Sequence, residues 1–271
     1  MTIILPVLLL TAIGVICAAL LIVASTFFGV EEDQRAVAVR ECLPGVNCGA
    51  CGYSGCDGYA KALADGTEKT ANLCVPGGDD TAKKIADILG VEFEDVVEKV
   101  AYVACNGTCD AVTMRYDYQG IKSCHNAKLS YAGNKACSFS CIGYGDCAAV
   151  CPQGAISVNN GVASVNSKKC IGCGICVREC PQGTIRLVND TVRVALKCSS
   201  KDKGAITRKN CKNGCIGCMK CAKICPVGAI TVKDNLATID YSLCTGCGAC
   251  ADVCPVKCIE KGNFICGAHF N

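Results

Sequence analysis

The chain begins with a long stretch that contains no charged side chain. Residues 2–30 (TIILPVLLLTAIGVICAALLIVASTFFGV) are almost entirely apolar, and about 20 apolar residues suffice to span a bilayer as a helix. A cleaved signal peptide is the alternative, but it would have a basic start and a shorter apolar core. The stretch therefore predicts one uncleaved transmembrane helix over residues 1–30, in contact with the lipid bilayer. Arg35 and Arg40 follow it and no basic residue precedes it, which favours the rest of the chain on the cytoplasmic side.

Beyond this helix, the apolar residues first recur at the spacing of an amphipathic helix. Residues 56–65 predict a short helix that Gly66 ends. Residues 81–104 predict two further helical segments (TAKKIADIL and FEDVVEKVAYVA), because their apolar positions recur at helical spacing. Asp80 or Thr81 is expected to cap the first of these segments.

The pattern then changes to the alternation of strands. Alternating apolar and polar residues flank turn residues at 159–161, 189–190 and 234–235, which predicts three two-stranded ribbons. A degenerate fourth ribbon is expected to turn near Gly262, with Cys266 in its last strand. The mixture of short helices and ribbons predicts an α+β fold behind the transmembrane helix.

Each ribbon follows a cysteine-rich segment, and four of these segments align without gaps. They begin at Cys141, Cys170, Cys215 and Cys244, with starts about 29, 45 and 29 residues apart. The first two repeats therefore form one pair and the last two form another. The wider gap between them marks a boundary between two modules.

Composition shows that cysteine organises this chain. The 271 residues include 29 cysteines, while only 5% are aromatic and there is no Trp, so an ordinary apolar core is short of large side chains. Disulfides, zinc and iron–sulfur clusters are the candidates for holding such a chain together. The formal net charge is +3, with no basic run interleaved with aromatic residues, so nucleic acid is not an expected partner.

The spacing C-x2-C-x2-C-x3-C-P selects iron–sulfur clusters from these candidates. It is complete three times: at Cys170, Cys173, Cys176, Cys180; at Cys215, Cys218, Cys221, Cys225; and at Cys244, Cys247, Cys250, Cys254. Three closely spaced thiolates bind three corners of a cubane, and the fourth cysteine serves the other cluster of the pair. Zinc ligands normally come as two separated pairs, and an odd number of closely spaced cysteines disfavours disulfides.

This crossing rule predicts the ligands of three [4Fe–4S] clusters. The predicted sets are Cys215, Cys218, Cys221 with Cys254; Cys244, Cys247, Cys250 with Cys225; and Cys170, Cys173, Cys176 with Cys151.

The remaining repeat site lacks one cysteine. It has Cys141, Cys147 and the crossing Cys180, but Tyr144 stands where a ligand is expected. Cys137 lies four residues before Cys141 and is the expected substitute. The alternative is a three-cysteine site that is vacant or holds a [3Fe–4S] cluster.

Two further clusters are expected outside the repeats. Cys48, Cys51, Cys56 and Cys74 form a glycine-rich set with a returning fourth ligand, which suits one cubane, with zinc as the alternative. Cys105, Cys109 and Cys124 are expected to form another with Cys198 or Cys211, with free buried thiols as the alternative. The chain is thus predicted to hold at least four [4Fe–4S] clusters, and six if both incomplete sets close.

The other candidate ligands are expected to have no metal role. They are Cys17, Cys42, Cys258, Cys266, His125 and His269. Six oxidised clusters at about −2 each would take the formal charge from +3 to roughly −9. The basic stretch 197–212 would then counterbalance cluster charge or dock an acidic electron carrier.

These features predict five regions. They are the transmembrane helix (1–30), an N-terminal 4Fe-4S domain with a helical extension (31–104), a cysteine-bearing connector (105–136), a first ferredoxin-like pair (137–197), and a linker with a second ferredoxin-like pair (198–271). No G-x-G-x-x-G or P-loop motif is present. We therefore expect electron transfer, with no catalytic residue and no NAD or flavin site in this chain.

The order of these motifs resembles one known family. An apolar helix, then LPGVNCGACGYSGCDGYAKAL and CVPGG, then ferredoxin repeats, is similar to the B subunit of the Rnf complex, the ion-translocating ferredoxin:NAD+ oxidoreductase of bacterial membranes. The resemblance covers essentially the whole chain. Two ferredoxin pairs make it similar to the long form of that protein.

The resemblance implies a function in electron transport. It implies an iron–sulfur protein in the bacterial inner membrane that accepts electrons from soluble ferredoxin and relays them to membrane and flavin subunits, while other subunits reduce NAD+ and export Na+ or H+. A membrane-anchored polyferredoxin of another oxidoreductase or hydrogenase complex is the nearest alternative. A zinc-structured or metal-storage membrane protein, or an exported redox protein, are alternatives from other classes.

Overall fold

The computed structural model describes residues 4–28 and 33–262. Helix α1 (Ile4–Phe28) is 25 residues long, or about 37 Å at 1.5 Å per residue. Its segment Val7–Ser25 is long and apolar enough to cross a membrane, and no part of that segment is buried against the rest of the chain. The predicted last strand with Cys266, and His269, lie outside the described residues.

Three helices form the core of the next region. Helix α2 (Gln34–Cys42), which the pattern did not predict, is capped by Asp33, whose carboxylate accepts the N–H of Arg35 at 2.9 Å. It packs on α3 (Cys56–Ala64) and α4 (Gly78–Leu89). Val39, Tyr59 and Ile85 meet in the core between these helices.

The start of α4 differs from the prediction. The helix begins at Gly78, directly after a 3-10 turn at Val75–Gly77, and Gly77 is its N-cap. Asp79 and Asp80 thus lie in the first turn, where negative charge interacts favourably with the helix dipole. Thr81 lies inside the helix, and Gly90 ends it in the left-handed conformation.

The second helix predicted within residues 81–104 is wrong. Residues 91–98 are irregular, and Lys99–Val103 form strand β1. This strand is buried on both faces after its first residue and pairs antiparallel with β4 (Ile185–Asn189). Its Val and Tyr side chains favour a buried strand. The apolar spacing of these residues also fits a helix, and pairing with β4 is what makes the segment a strand.

Two of the three predicted ribbons are confirmed. Strands β2 (Ile156–Asn159) and β3 (Val162–Val165) form one hairpin, and β6 (Ile230–Lys233) and β7 (Leu236–Ile239) form another. The ribbon predicted at residues 189–190 is wrong because β4 pairs with β1.

The strand after that turn has a different partner. Strand β5 (Val194–Leu196) pairs antiparallel with β8 (Ile259–Lys261). The described strands thus form two modules with the same plan. The first has the hairpin β2–β3 and the sheet β1–β4, and the second has the hairpin β6–β7 and the sheet β5–β8. In each sheet, one strand precedes the cysteine repeats of its module and the other lies within or after the second repeat.

The remaining elements are short. The helices α5 (Cys124–Leu129), α6 (Asp146–Ala149), α7 (Ile175–Glu179), α8 (Gly204–Asn210), α9 (Lys220–Ile224) and α10 (Ala249–Asp252), and a 3-10 turn at Ser167–Lys169, complete the described part of the chain. In the first module α6 packs on α7, and in the second module α9 packs on α10.

The module cores are built around cysteines. In the second module, Val194, Leu196 and Ile259 of the β5–β8 sheet belong to the same buried cluster as several cysteines. A smaller apolar cluster joins Tyr102 of the first module to Tyr241 of the second. The sulfur-lined regions are thus the centres of the fold.

Candidate metal centres

Four cavities, each with about 310–360 Å³ of open space, are lined by cysteines: three of them by four cysteines, and the fourth by five because Cys258 lies beside its set. We name them site B (Cys151, Cys170, Cys173, Cys176), site C (Cys124, Cys141, Cys147, Cys180), site D (Cys105, Cys137, Cys198, Cys211) and site E (Cys215, Cys218, Cys221, Cys254). Two more sets of four cysteines also come together, although they line none of these four cavities. They are site A (Cys48, Cys51, Cys56, Cys74) and site F (Cys225, Cys244, Cys247, Cys250).

Site A is formed by the loop that leads into α3 and by a returning cysteine. The side-chain oxygen of Asn47 accepts the N–H of Cys56 at 2.9 Å, which fixes the start of α3 beside the loop. Burial first, and then the neighbouring thiols of Cys56, Cys48 and Cys51, raise the pKa of the Cys74 thiol to about 11. The structure thus brings together the four cysteines that the sequence grouped here.

Sites B and E contain the sets that the crossing rule predicts. In each, three cysteines come from one repeat and the fourth, Cys151 or Cys254, comes from its partner repeat. The remote cysteine reaches across because the short helices of paired repeats pack together.

Site F lies beside site E in the second module. Cys250 is buried, Cys225 and Cys244 pack against the same apolar cluster, and Cys247 is exposed. Burial raises the pKa of the Cys250 thiol, with contributions from Cys244 and Cys247. The predicted four cysteines therefore lie in one neighbourhood with one exposed edge.

Site C corrects the predicted grouping of Cys137. Its cavity is lined by Cys141, Cys147 and Cys180, as expected, but the fourth cysteine is Cys124 from α5. Cys137 is instead part of site D. The carbonyl of Cys137 accepts hydrogen bonds from the amide (3.2 Å) and hydroxyl (2.8 Å) of Ser140, and this tight turn separates Cys137 from the site C loop.

Cys124 reaches site C because its neighbours are bonded to the site. A carboxylate oxygen of Asp146 accepts the Ser123 hydroxyl at 2.8 Å and the His125 amide at 3.2 Å. The ring of His125 bonds to the Glu179 carboxylate at 3.1 Å. Asp146 directly precedes Cys147 and Glu179 directly precedes Cys180 in the chain. These hydrogen bonds therefore hold α5 against the two repeats that form site C.

Tyr144, which replaces the expected cysteine, supports the same arrangement. Its ring lies 5.8 Å from that of Tyr118, and both pack against the small cluster that contains Cys124 and Ala127. The tyrosine therefore packs beside α5 while α5 supplies the sulfur.

Site D draws two cysteines from each side of the module boundary. Cys105 follows β1 and Cys198 follows β5, while Cys137 and Cys211 each lie four residues before the first cysteine of a module. The sequence predicted Cys105 and left Cys198 and Cys211 as alternatives, and both line the cavity.

Cys109, also expected in this group, is exposed and does not line the site D cavity. Its sulfur instead lies beside Gly161, where an added Cβ would approach it to 2.6 Å. The sequence signal that identifies site D is the repeated C-x3-C spacing at 137/141 and 211/215, which relates the two modules.

Backbone N–H···S hydrogen bonds connect site D to both modules. The N–H of Cys141 in site C donates to Sγ of Cys105 at 3.3 Å. In the equivalent position, the N–H of Cys215 in site E donates to Sγ of Cys198 at 3.2 Å. Site D therefore lies between sites C and E.

The other sites follow in the same series. Arg178, beside site B, donates to the carbonyl of Cys48 in site A, and the thiol of Cys48 interacts with that of Cys173. Cys176 of site B interacts with Cys147 of site C. Sites E and F lie in one buried cluster, and each takes its fourth cysteine from the repeat that supplies the other three of its neighbour. The order of the sites is therefore A, B, C, D, E, F.

Two side chains contact ligand sulfurs without being in a predicted set. The hydroxyl of Thr184 lies 3.3 Å from Sγ of Cys180. At the equivalent position in the last repeat, Sγ of Cys258 lies 3.6 Å from that of Cys254. The Cys258 thiol also interacts with that of Cys215, and this is the first cause of a lowered pKa at Cys215.

The cysteine sets fit [4Fe–4S] clusters. Every cysteine in residues 4–28 and 33–262 is a free thiol, so the disulfide alternative has no support there. Burial raises the pKa of the Cys137 thiol to about 11 and those of Cys147 and Cys176 to about 12. Such thiols stay protonated at neutral pH unless a metal displaces the proton, and soft thiolates in fours suit an iron–sulfur cubane.

The fold and the sites define a protein of the ferredoxin class, built from 4Fe-4S domains and preceded by one helix that is apolar enough to span a membrane. Family models agree: an Fe-S cluster family matches residues 43–76, one 4Fe-4S dicluster domain matches residues 140–184 and 214–258, and a second matches residues 169–230.

Comparison with known proteins identifies the family. The chain is 42% identical over 240 residues to the B subunit of the Na+-translocating ferredoxin:NAD+ oxidoreductase complex of Acetobacterium woodii, covering 88% of this chain and 72% of that protein. It is 40% identical over 243 residues to the proton-translocating counterpart of Clostridium ljungdahlii (89% and 86%). It is 38% identical over 232 residues to the B subunit of the ion-translocating oxidoreductase complex of Methanosarcina acetivorans (85% and 88%). The chain belongs to the family of Rnf complex B subunits, which are components of ion-translocating ferredoxin:NAD+ oxidoreductases.

Proposed function

We propose that this chain is the iron–sulfur relay of an ion-translocating ferredoxin:NAD+ oxidoreductase, with one [4Fe–4S] cluster in each of sites A to F. The observation that carries the proposal is the continuous series of six four-cysteine sites, with each site in contact with the next. Bound clusters would supply one-electron transfer, and the chain supplies ligation, burial and hydrogen bonds to sulfur.

The chain's own residues shape this series in two ways. The N–H···S bonds of Cys141 and Cys215 place a short covalent and hydrogen-bonded path between ligands of neighbouring sites. Burial of most ligand cysteines excludes water from sites B to D, whereas Cys218 of site E and Cys247 of site F are exposed. The interior sites are thus more buried, and each site of the second module has one exposed cysteine.

We propose that soluble ferredoxin docks beside the exposed Cys218 of site E. The next residue, Met219, is 49% exposed, and Lys220 and Lys223 of helix α9 are also exposed. An exposed apolar side chain beside lysines suits a small acidic electron carrier. Site A, at the other end of the series, is nearest in sequence to the membrane helix and is proposed to face the membrane and flavin subunits.

The membrane arrangement is proposed from the same features. In this proposal helix α1 crosses the bacterial inner membrane once, and Arg35 and Arg40 on its C-terminal side favour the iron–sulfur regions in the cytoplasm. The regions 31–104, 105–136, 137–197 and 198–271 are proposed as the structural units of the relay, except that β1 belongs with the first ferredoxin-like pair and β5 with the second, because their partner strands lie there. Protease treatment of sealed, right-side-out vesicles should leave them intact, and their digestion from outside would contradict this orientation.

The decisive experiment is metal analysis of the anaerobically purified full chain. Six loaded sites correspond to about 24 iron atoms and about 24 acid-labile sulfides per chain. Close to 16 irons would mean that two sites are empty, and zinc without sulfide would overturn the electron-transfer function. Co-purification of the other subunits of the complex would distinguish it from a relay for another oxidoreductase.

Ferredoxin docking has its own test. Replacing Lys220 and Lys223 together with Glu should raise the KM for reduced ferredoxin severalfold at low salt, because opposite charge accelerates the encounter. An artificial small reductant should be oxidised at the unchanged rate. An unchanged KM would place the docking face elsewhere.

A further inference from the structure

Lys135 is a buried cation with no anionic partner among the described side chains. Only 2% of the residue is exposed. Its ammonium group donates to the carbonyl oxygens of Gly107 at 2.9 Å and of Gly161 at 2.6 Å. Within residues 4–28 and 33–262, no carboxylate forms an ion pair with it.

Such a group is unfavourable unless negative charge lies close by. Burial removes the ammonium from water, and two carbonyl dipoles replace only part of its hydration. Proteins rarely bury a lysine completely without pairing it. The fold therefore places Lys135 where another source of negative charge is expected.

One carbonyl partner belongs to site D. Gly107 lies two residues after Cys105, and its N–H donates to Sγ of Cys105 at 3.4 Å. A Cβ at Gly107 would lie 3.7 Å from Sγ of Cys211. The Lys135 ammonium group is thus hydrogen-bonded to the loop that lies against two site D sulfurs.

The other carbonyl partner contacts site C. The carbonyl oxygen of Gly161 lies so close to Gly143 that a Cβ there would come within 2.2 Å of it. Gly143 is part of the loop between Cys141 and Cys147 of site C. The ammonium group is therefore held between the loops of two neighbouring sites.

The effect of Lys135 on nearby thiols agrees with this position. Burial raises the pKa of the Cys141 thiol to about 11, and the charge of Lys135 acts in the opposite direction. The same opposition holds for Cys211 of site D, whose pKa burial also raises. Its charge thus reaches a ligand of each site.

We propose that Lys135 is the shared counter-cation of sites C and D, and that it makes their clusters easier to reduce than they would be without it. A reduced cluster with its four thiolates is more negative than the oxidised one, so a nearby fixed positive charge stabilises the reduced state more. The effect is large because the cation is buried and poorly screened. This inference rests on the proposed function, since it needs clusters in these two sites.

The second module supplies a matched control. Lys209 lies two residues before Cys211, as Lys135 lies two residues before Cys137, but Lys209 is exposed. Replacing either lysine with Met removes one positive charge at an equivalent position of the repeat. Only the buried one should matter for the clusters.

The test is a redox titration of the full chain, followed by EPR, for wild type, Lys135→Met, Lys135→Arg and Lys209→Met. The signals of sites C and D are first assigned as those lost in Cys124→Ala and Cys137→Ala. In Lys135→Met, the midpoint potentials of both sites should become more negative, while Lys135→Arg and Lys209→Met should keep wild-type values. Unchanged potentials in an iron-replete Lys135→Met variant would overturn the proposal.

Loss of iron gives a second measurement. If Lys135→Met loses iron selectively from sites C and D and Lys135→Arg retains it, the positive charge is required there and the proposal is supported. Equal loss in both variants would show that packing of the side chain matters and charge does not, which would overturn it. The iron content of the wild type tests the proposed function separately, before any lysine is changed.

Discussion

Cys124 and Cys137 are placed in different sites, and iron counting can test this. Each is buried in the connector region, but Cys124 lines site C and Cys137 lines site D. Removing one thiolate of four should release one whole cluster, or about four of roughly 24 irons per chain. Cys124→Ala and Cys137→Ala should therefore each lose about one sixth of the iron.

The double variant carries the discriminating result. Because the two cysteines belong to separate sites, their losses should add, and the double variant should lack about eight irons. If both cysteines served the same site, it would lack only about four. Iron and acid-labile sulfide would be measured together, with EPR to identify the missing signals.

Cys109→Ala is the matched control, since Cys109 lies in the same connector but is exposed and lines none of the four cavities. It should keep the full iron content. Full iron in Cys124→Ala, or loss of only four irons in the double variant, would refute the assignment of sites C and D.

Three further predictions follow from single contacts. Thr184→Val removes the hydroxyl that lies 3.3 Å from the Cys180 sulfur, and should lower the site C midpoint potential by roughly 40 mV for each kcal/mol of lost hydrogen bond in a redox titration. Gly143→Ala introduces a Cβ 2.2 Å from the carbonyl oxygen of Gly161, at a φ of +91°, and should lose site C iron. The pKa of Glu68 is lowered to about 2, first because the Thr70 amide donates to it, so Glu68→Gln should lower the thermal unfolding midpoint at pH 7, and this difference should shrink as the pH falls towards 2 and the wild-type carboxylate becomes protonated.

Each of these predictions has a control. Thr184→Ser keeps a hydroxyl and should retain the wild-type potential. Gly154 also has a positive φ, +55°, but nothing lies within 4 Å of an added Cβ, so Gly154→Ala should keep its iron. For Glu68, the stabilisation is present above the ordinary pKa and is lost as the pH falls from about 4.5 towards 2. A destabilisation in Glu68→Gln that does not shrink over this range would contradict the role of the charge.

Local spacing made most of the cluster sets predictable. Three ligands of sites B, E and F lie within seven residues of one another in a fixed motif, and the crossing rule adds the fourth. The position of Cys124 was not predictable in this way. It depends on hydrogen bonds that Ser123 and His125 donate to Asp146, more than 20 residues away along the chain, and no periodicity records such contacts.

Strand pairing set a second limit. The sequence around Lys99–Val103 fits helical spacing, but these residues form a strand because β4, which begins at Ile185, pairs with them. The same distant pairing removed the ribbon predicted at residues 189–190. The hairpins β2–β3 and β6–β7 were predicted because their partners are adjacent in sequence and the turn residues between them are typical of hairpins.

Site D has a consequence for the synthesis of the chain. Cys105 and Cys211 are separated by roughly 100 residues, so at 5–20 residues per second the ribosome needs about 5–20 s between the first and the last cysteine of this site. The sets of the first module can close earlier. Site D can be completed only after the second module has begun to emerge, which makes it the step that commits two separately folding halves to one another. Iron delivered too late would leave the halves tethered by a loop and free to associate with the wrong partner.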